Sequence, residues 1–199
     1  MAVRRKIPEF DGLYFITLTC ADWLSLFQEA DGYSTVYTWF DYLKAQGHFI
    51  IGYVIMPNHL HAMIAFSHTQ GKSINSIVAN GKRFMAYELV EKLKAKGKVK
   101  LLKKLSSLVK EKDRAKGQLH QVFEPSFDWK ECYSDRFIEQ KLHYMHMNPC
   151  RGAWRLVFHP EDYIHSSAKF YIYWEQGIYP VMSYAELKDI DLTIPGRKS

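Results

Sequence analysis

His59 and His61 stand one residue apart in an apolar stretch, HLHAMIAF. Along a β-strand the side chains alternate, so both imidazoles point to one face while Leu60 points into the core. Two neutral imidazoles a few ångströms apart begin a site for a divalent cation. The pair alone does not separate such a site from two ordinary strand histidines. Far downstream, Tyr144 and Asn148 lie four residues apart in a segment with helical spacing, so a phenol and a carboxamide share one helix face. The phenol is a candidate nucleophile and the amide a candidate metal ligand. Gln140, one turn before Tyr144, is the alternative third ligand. His143 and His146 flank the tyrosine but turn away from it around the helix, and read as facing a partner or structural. The chain has 13 tyrosines, so spacing alone does not single out Tyr144.

These residues need a frame, and the hydrophobic pattern supplies one. LYFITLTC, residues 13–20, is β-branched and aromatic with partial alternation, which predicts a strand. Val36, Trp39, Phe40 and Leu43 recur at helical spacing, and Gly47 ends that helix. HFIIGYVIMP and NHLHAMIAF are strand-like, with Pro57 and Asn58 at the bend between them. Ser73 to Leu93 is helical again. Between about 92 and 118 lysine is dense, and Leu101, Leu102, Leu105 and Leu108 recur at helical intervals. That reads as an inserted basic amphipathic helix or helical hairpin. QVFEPSFDWKECY reads as a loop leading to a strand, and Asp135 to Asn148 as a helix with Pro149 just past its end. The order predicts one α+β domain over residues 1–199: an antiparallel sheet with helices on one face, the Lys-rich helical insertion, and a short flexible C-terminal tail.

With 47% hydrophobic and 24% charged residues, the composition is that of a folded globular protein, and 15% aromatics can fill a core. A formal net charge of +6 fits a polyanionic partner without requiring one. The candidate phosphate contacts are Arg4, Arg5 and Lys6 on the N-terminal arm, Lys82 and Arg83 on the second helix, and the basic insertion. Three cysteines with no Cys-x-x-Cys spacing argue against a disulfide framework or a structural zinc site. No run of about 18 apolar residues is present, so no membrane span is expected, and the expected location is the cytoplasm with thiols reduced.

GYVIMPNHLHAMIAF resembles the metal-binding strand of single-tyrosine HUH transposases, where a His-hydrophobic-His triplet often follows Met-Pro-Asn, here Met56-Pro57-Asn58. YMHMNPCRGAWRLVFHPEDYIHSSAKFY resembles that family's tyrosine helix and the segment after it. The likeness is to the REP-associated branch, where a Tyr-x-x-x-Asn-Pro run carries the nucleophile. The Ser166–Ser167 pair with Tyr171 beyond it is similar to that branch too. The resemblance spans roughly residues 10–175, apart from the Lys-rich stretch. It implies a ferredoxin-like or RRM-like sheet, Tyr144 as nucleophile, and a metal held by His59, His61 and a side chain of the tyrosine helix. The related insertion-sequence branch has Gln one turn after the tyrosine, where this chain has the shorter Asn148. Position 148 is not a second tyrosine, so the single-tyrosine type is implied.

The implied activity is cleavage and rejoining of single-stranded or hairpin DNA through a 5′-phosphotyrosine. A phenol ordinarily titrates near pH 10 and is only about 0.1% ionised at pH 7, so a metal that polarises the phosphate is expected to help. Two imidazoles and an amide oxygen suit Mn²⁺ somewhat better than Mg²⁺, and both remain expected cofactors. The resemblance allows either a homodimer with paired active sites or a monomer. Two other classes stay open: a catalytically idle relative that only binds nucleic acid, and a metal-dependent hydrolase that uses water.

Overall fold

The computed structural model describes residues 6–69, 71–152 and 155–195. Strands β1 (Gly12–Thr19), β2 (Phe49–Met56), β3 (His59–Phe66) and β4 (Asp128–Glu131) form an antiparallel sheet in the order β2-β3-β1-β4. The helices are α1 (Leu26–Ala30), α2 (Tyr33–Ala45), α3 (Ile74–Ala95), α4 (Val99–Ser107), α5 (Glu111–Arg114), α6 (Asp135–His146) and α7 (Ala168–Tyr173). The α+β class and the antiparallel sheet are those the sequence predicts. Pro57 and Asn58 close the β2–β3 hairpin, and Met56 pairs with His59 across it.

The helices divide between both faces of the sheet, where the sequence reading put them on one. Tyr14, Ile16, Leu18, Tyr53, Leu60 and Ile64 pack with residues of α2 and α3. Leu13, Phe15, Ile51, Val54, Met56 and Met63 pack with Ile138, Leu142 and Met145 of α6. The physical reason lies in β2 and β3, which read as near-continuous apolar runs rather than alternating ones. Every residue of the two strands except Phe49 is buried, and a sheet buried on both sides needs cover on both. The outer edge of β2 is also covered: Ile55 N–H donates to His165 O and Ser167 N–H to Tyr53 O.

Helix α6 starts at Ser134, whose side chain accepts from Phe137 N–H. It ends at His146, two residues short of the sequence expectation, because Pro149 has no N–H to donate back to Met145 O and so cannot continue the α-helical ladder. Asn148–Cys150 continue as a 3-10 turn. The Lys-rich stretch forms the last turn of α3, then α4 and α5. Leu105 is fully buried, while Lys98 pairs with Glu29 and Lys104 with Asp22, each within 2.8 Å.

The seat of α6 depends on a residue with no side chain. A β-bulge between Ile50 and Gly52 lets Ile51 and Gly52 both face α6. A Cβ added at Gly52 would come within 2.7 Å of Leu142 Cδ2 and 3.6 Å of Met145 Cε. Leu142 Cδ2 is the far end of a flexible side chain, so Gly52→Ala should be absorbed by a rotamer change. Gly52→Val adds two more carbons under the helix and should cost about 1–3 kcal/mol. Thermal melts of both variants check this, with equal melting temperatures counting against the packing argument.

Candidate active site

The hairpin puts His59 and His61 on the α6 face of β3, with Leu60 in the opposite core. Their ring centroids are 4.7 Å apart. Each Nδ1 is held. Asn58 Oδ1 lies 2.7 Å from His59 Nδ1, and Asn58 Nδ2 donates to Trp23 O at 3.4 Å. That orientation makes Oδ1 an acceptor, so the His59 proton sits on Nδ1 and Nε2 keeps its lone pair. Strand register sets Thr17 of β1 opposite His61, with Thr17 Oγ1 2.8 Å from its Nδ1. A hydroxyl can accept there as well, which frees the second Nε2. Burial pushes His59 down to about 4, partly offset by a hydrogen bond with the Asn148 side chain. Burial, with the neighbouring His59 and Lys141, pushes His61 down to about 3. Both rings are therefore neutral near pH 7, the form that binds a metal.

α6 brings the tyrosine to this pair. With Leu142 and Met145 turned down onto the sheet, Tyr144 lies on the flank beside β1 and β3. Its ring centroid is 5.4 Å from His61 and 6.1 Å from Phe15, which itself stacks on His61 at 5.2 Å. Tyr144 is 45% exposed, so a substrate can reach the phenol. Of the two candidate third ligands, Asn148 reaches His59, while Gln140 is exposed and touches neither imidazole among the described residues. His146 is structural: buried, its Nε2 lies 2.9 Å from Ser167 Oγ, which accepts from Tyr53 N–H. This chain of contacts ties α6 to β2 next to the tyrosine, through the serine pair seen in the sequence. His143 is exposed.

The donor set fits a divalent cation. Two neutral imidazoles stand beside a carboxamide, and each Nδ1 has a second partner, as is usual for metal-ligating histidines. Among the described residues no group of three His, Cys, Asp or Glu side chains could hold a metal, so a third protein ligand beside these histidines would have to be of another type, such as an amide.

Sequence reasoning missed four contributors. Lys141 places its ammonium 5.6 Å from the Tyr144 ring centroid, 5.3 Å from Phe15 and 5.2 Å from Phe137. Its i−3 spacing from Tyr144 was the available signal. Asn58 adjoins the histidine pair in sequence, whereas Thr17 and Trp23 reach it only through tertiary structure. Of the expected DNA contacts, Lys6, Lys82 and Arg83 are not gathered here. Lys82 donates to Glu124 O at 2.6 Å and Ser126 O at 3.0 Å, in the loop before β4. Arg83 is exposed beside Phe84, but α3 lies across the sheet from the histidines. Lys6 is exposed next to Ile7, whose backbone is tied to Asn75 at the start of α3. Arg4 and Arg5 lie outside the described residues.

No protein-family model and no curated protein sequence matches the chain significantly. Among solved structures, a REP-associated tyrosine transposase bound to a REP hairpin superimposes with a TM-score of 0.58 at 15% identity, covering 100% of this chain and 99% of that one. A candidate transposase from Deinococcus radiodurans aligns over 72% of this chain and 95% of that one at 15% identity, and its TM-score of 0.40 is too low to bear on the argument. The first likeness runs the length of both chains, and this protein has the fold of a REP-associated tyrosine transposase.

Proposed function

We propose that the protein is a DNA transposase that cuts and rejoins single-stranded or hairpin DNA with Tyr144 as its nucleophile. The carrying observation is the Tyr144 ring set 5.4 Å from His61, beside a pair of neutral imidazoles whose Nδ1 atoms are held by Asn58 and Thr17. The likeness to a hairpin-bound transposase supports the substrate class.

In the proposed reaction the Tyr144 phenolic oxygen attacks phosphorus in line. The P–O bond to the 3′-oxygen breaks, the phenol gives up its proton, and the 3′-oxygen leaves as a hydroxyl. The product is a 5′-phosphotyrosine. That ester keeps the energy of the phosphodiester, so a free 3′-hydroxyl can attack it and restore the strand without ATP. His59, His61 and Asn148 would hold Mg²⁺ or Mn²⁺, which when bound supplies Lewis-acid polarisation of the phosphate. His146 and Ser167 hold the helix that carries the nucleophile. Phe15 and His61 pack against its ring and limit where the phenol can swing.

The test is a covalent adduct. Wild-type protein is incubated with end-labelled single strands and hairpins taken from the flanks of its own gene, with Mn²⁺, Mg²⁺ or chelator, and run on a denaturing protein gel. A labelled band at protein mass is expected with either metal and not with chelator. Binding without any band would leave a nucleic-acid-binding relative in place of the enzyme. Cleavage without a band would point to a hydrolase that uses water.

A further inference from the structure

The turn after β1 carries an exposed indole that the chemistry above does not use. Trp23 is 61% exposed, and its ring lies 5.9 Å from His59, edge to face at 70°. Asp22 and Trp23 both have φ of +54°, a left-handed conformation that ordinary residues avoid. The strain is held from several sides. Trp23 N–H donates to Cys20 O, Asp22 N–H to a Glu124 carboxylate oxygen, and Asn58 Nδ2 to Trp23 O. Backbone held in this way keeps an indole at the surface beside the metal-type histidine pair, where core packing would turn it inward.

Trp23 also forms one wall of a cleft of about 540 Å³. Trp23, Leu24 and Ser25 line one side, and Lys100, Leu101 and Lys104 of α4 line the other. Asp22 is paired with Lys104 and Glu29 with Lys98, so three lysines meet two carboxylates and Lys100 has no acidic partner among the described residues. The cleft is thus open, walled on one side by an aromatic ring, and carries one lysine more than carboxylates. Its chemistry is that of a single-strand groove: a base stacks on the ring and ammonium groups follow the backbone.

We infer that Trp23 stacks on a nucleobase of the single strand next to the scissile phosphate, and that Lys100 and Lys104 follow that strand's backbone along α4. The inference rests on the DNA reading above but not on cleavage. It gives the Lys-rich stretch a role although α4 packs with α3 in the core across the sheet from the histidines. Because Trp23 O also orients Asn58, and Asn58 orients His59, the strand and the histidine pair share one support.

The test is anisotropy of labelled oligo(dT), which forms no hairpin, over a salt series, with adduct formation on gene-flank DNA run in parallel. Trp23→Ala should weaken oligo(dT) binding about ten-fold and leave the salt slope unchanged, since base stacking carries little charge. Trp23→Phe should retain most of the affinity. Lys100→Ala/Lys104→Ala should lower the magnitude of the log–log salt slope by about 0.7 per lysine. Should Trp23→Ala melt early, Trp23→Gln, of similar reach but without a stacking ring, takes its place with the same expected loss. Wild-type affinity and slope in all variants would overturn the inference, while an adduct from the wild type would leave the proposed cleavage standing. Loss of affinity in Trp23→Ala with no wild-type adduct would support the groove and remove the enzyme. A wild type that fails to bind oligo(dT) would overturn the groove outright.

Discussion

Tyr144→Phe should bind single-stranded DNA within about two-fold of wild type, as expected for a surface change of about 0.5 kcal/mol or less. It should form no covalent adduct. The substitution removes one oxygen and little else. The ring stays against His61 and Phe15, 5.4 and 6.1 Å away, and under the Lys141 ammonium at 5.6 Å. With the residue 45% exposed, no buried hydroxyl is left wanting a partner. Stability should therefore hold, and the lost activity is attributable to chemistry. Losing the nucleophile should lower cleavage on the order of 10⁴-fold or more, because correct positioning without an attacking group does not split the bond. Gel detection of the labelled adduct and an anisotropy titration give the two readings. Residual adduct in Tyr144→Phe would overturn the assignment. The tyrosine to examine next would be Tyr133, 83% exposed and stacked on Phe137 just before α6.

Much of this site is local in sequence, and that is why it could be read. Strand alternation places His59 and His61 together whatever the strand pairs with. A four-residue step places Asn148 on the side of Tyr144 even though the helix gives way to a 3-10 turn in between. The class of fold was legible for the same reason, since each element carries its own periodicity. What escaped depends on strand register and loop path. Thr17 faces His61 only because β1 pairs with β3 in one register. Trp23 reaches His59 because the chain after β1 folds back on the β2–β3 turn, where Cys20 N–H donates to Asn58 O and Phe27 N–H to Pro57 O. That Lys82 reaches the carbonyls of Glu124 and Ser126 is likewise a matter of loop path, of which its charge in the sequence carries no record. The second layer of helix was visible in principle. The unbroken apolar runs of β2 and β3 announce a sheet covered on both faces, and weighing the element order alone hid that.

Metal affinity should fall in a set order: most for His59→Ala and His61→Ala, less for Asn58→Ala. A ligand that binds the native state alone at a hundred times its dissociation constant stabilises by about 2.7 kcal/mol. For a chain of this length that is a rise of roughly 5–10 °C in Tm. Wild type should therefore melt several degrees higher with Mn²⁺ than with chelator. His61→Ala should show no such rise, although its absolute stability will fall too, since His61 is only 5% exposed and its removal opens a cavity. The quantity to compare is thus the shift with metal within each variant, which cancels the packing loss. Asn58 touches no metal in this scheme; it holds His59 Nδ1 at 2.7 Å and so fixes which nitrogen is free. Losing such a partner should weaken Mn²⁺ about 10- to 100-fold. The shift in Asn58→Ala should then be smaller than in wild type and recoverable by raising Mn²⁺, whereas His59→Ala/His61→Ala should stay unresponsive. Calorimetric titration with Mn²⁺ gives the constants directly. An equal metal-induced shift in wild type and the double-histidine variant would mean the ion binds elsewhere, and the buried imidazoles would then be packing residues.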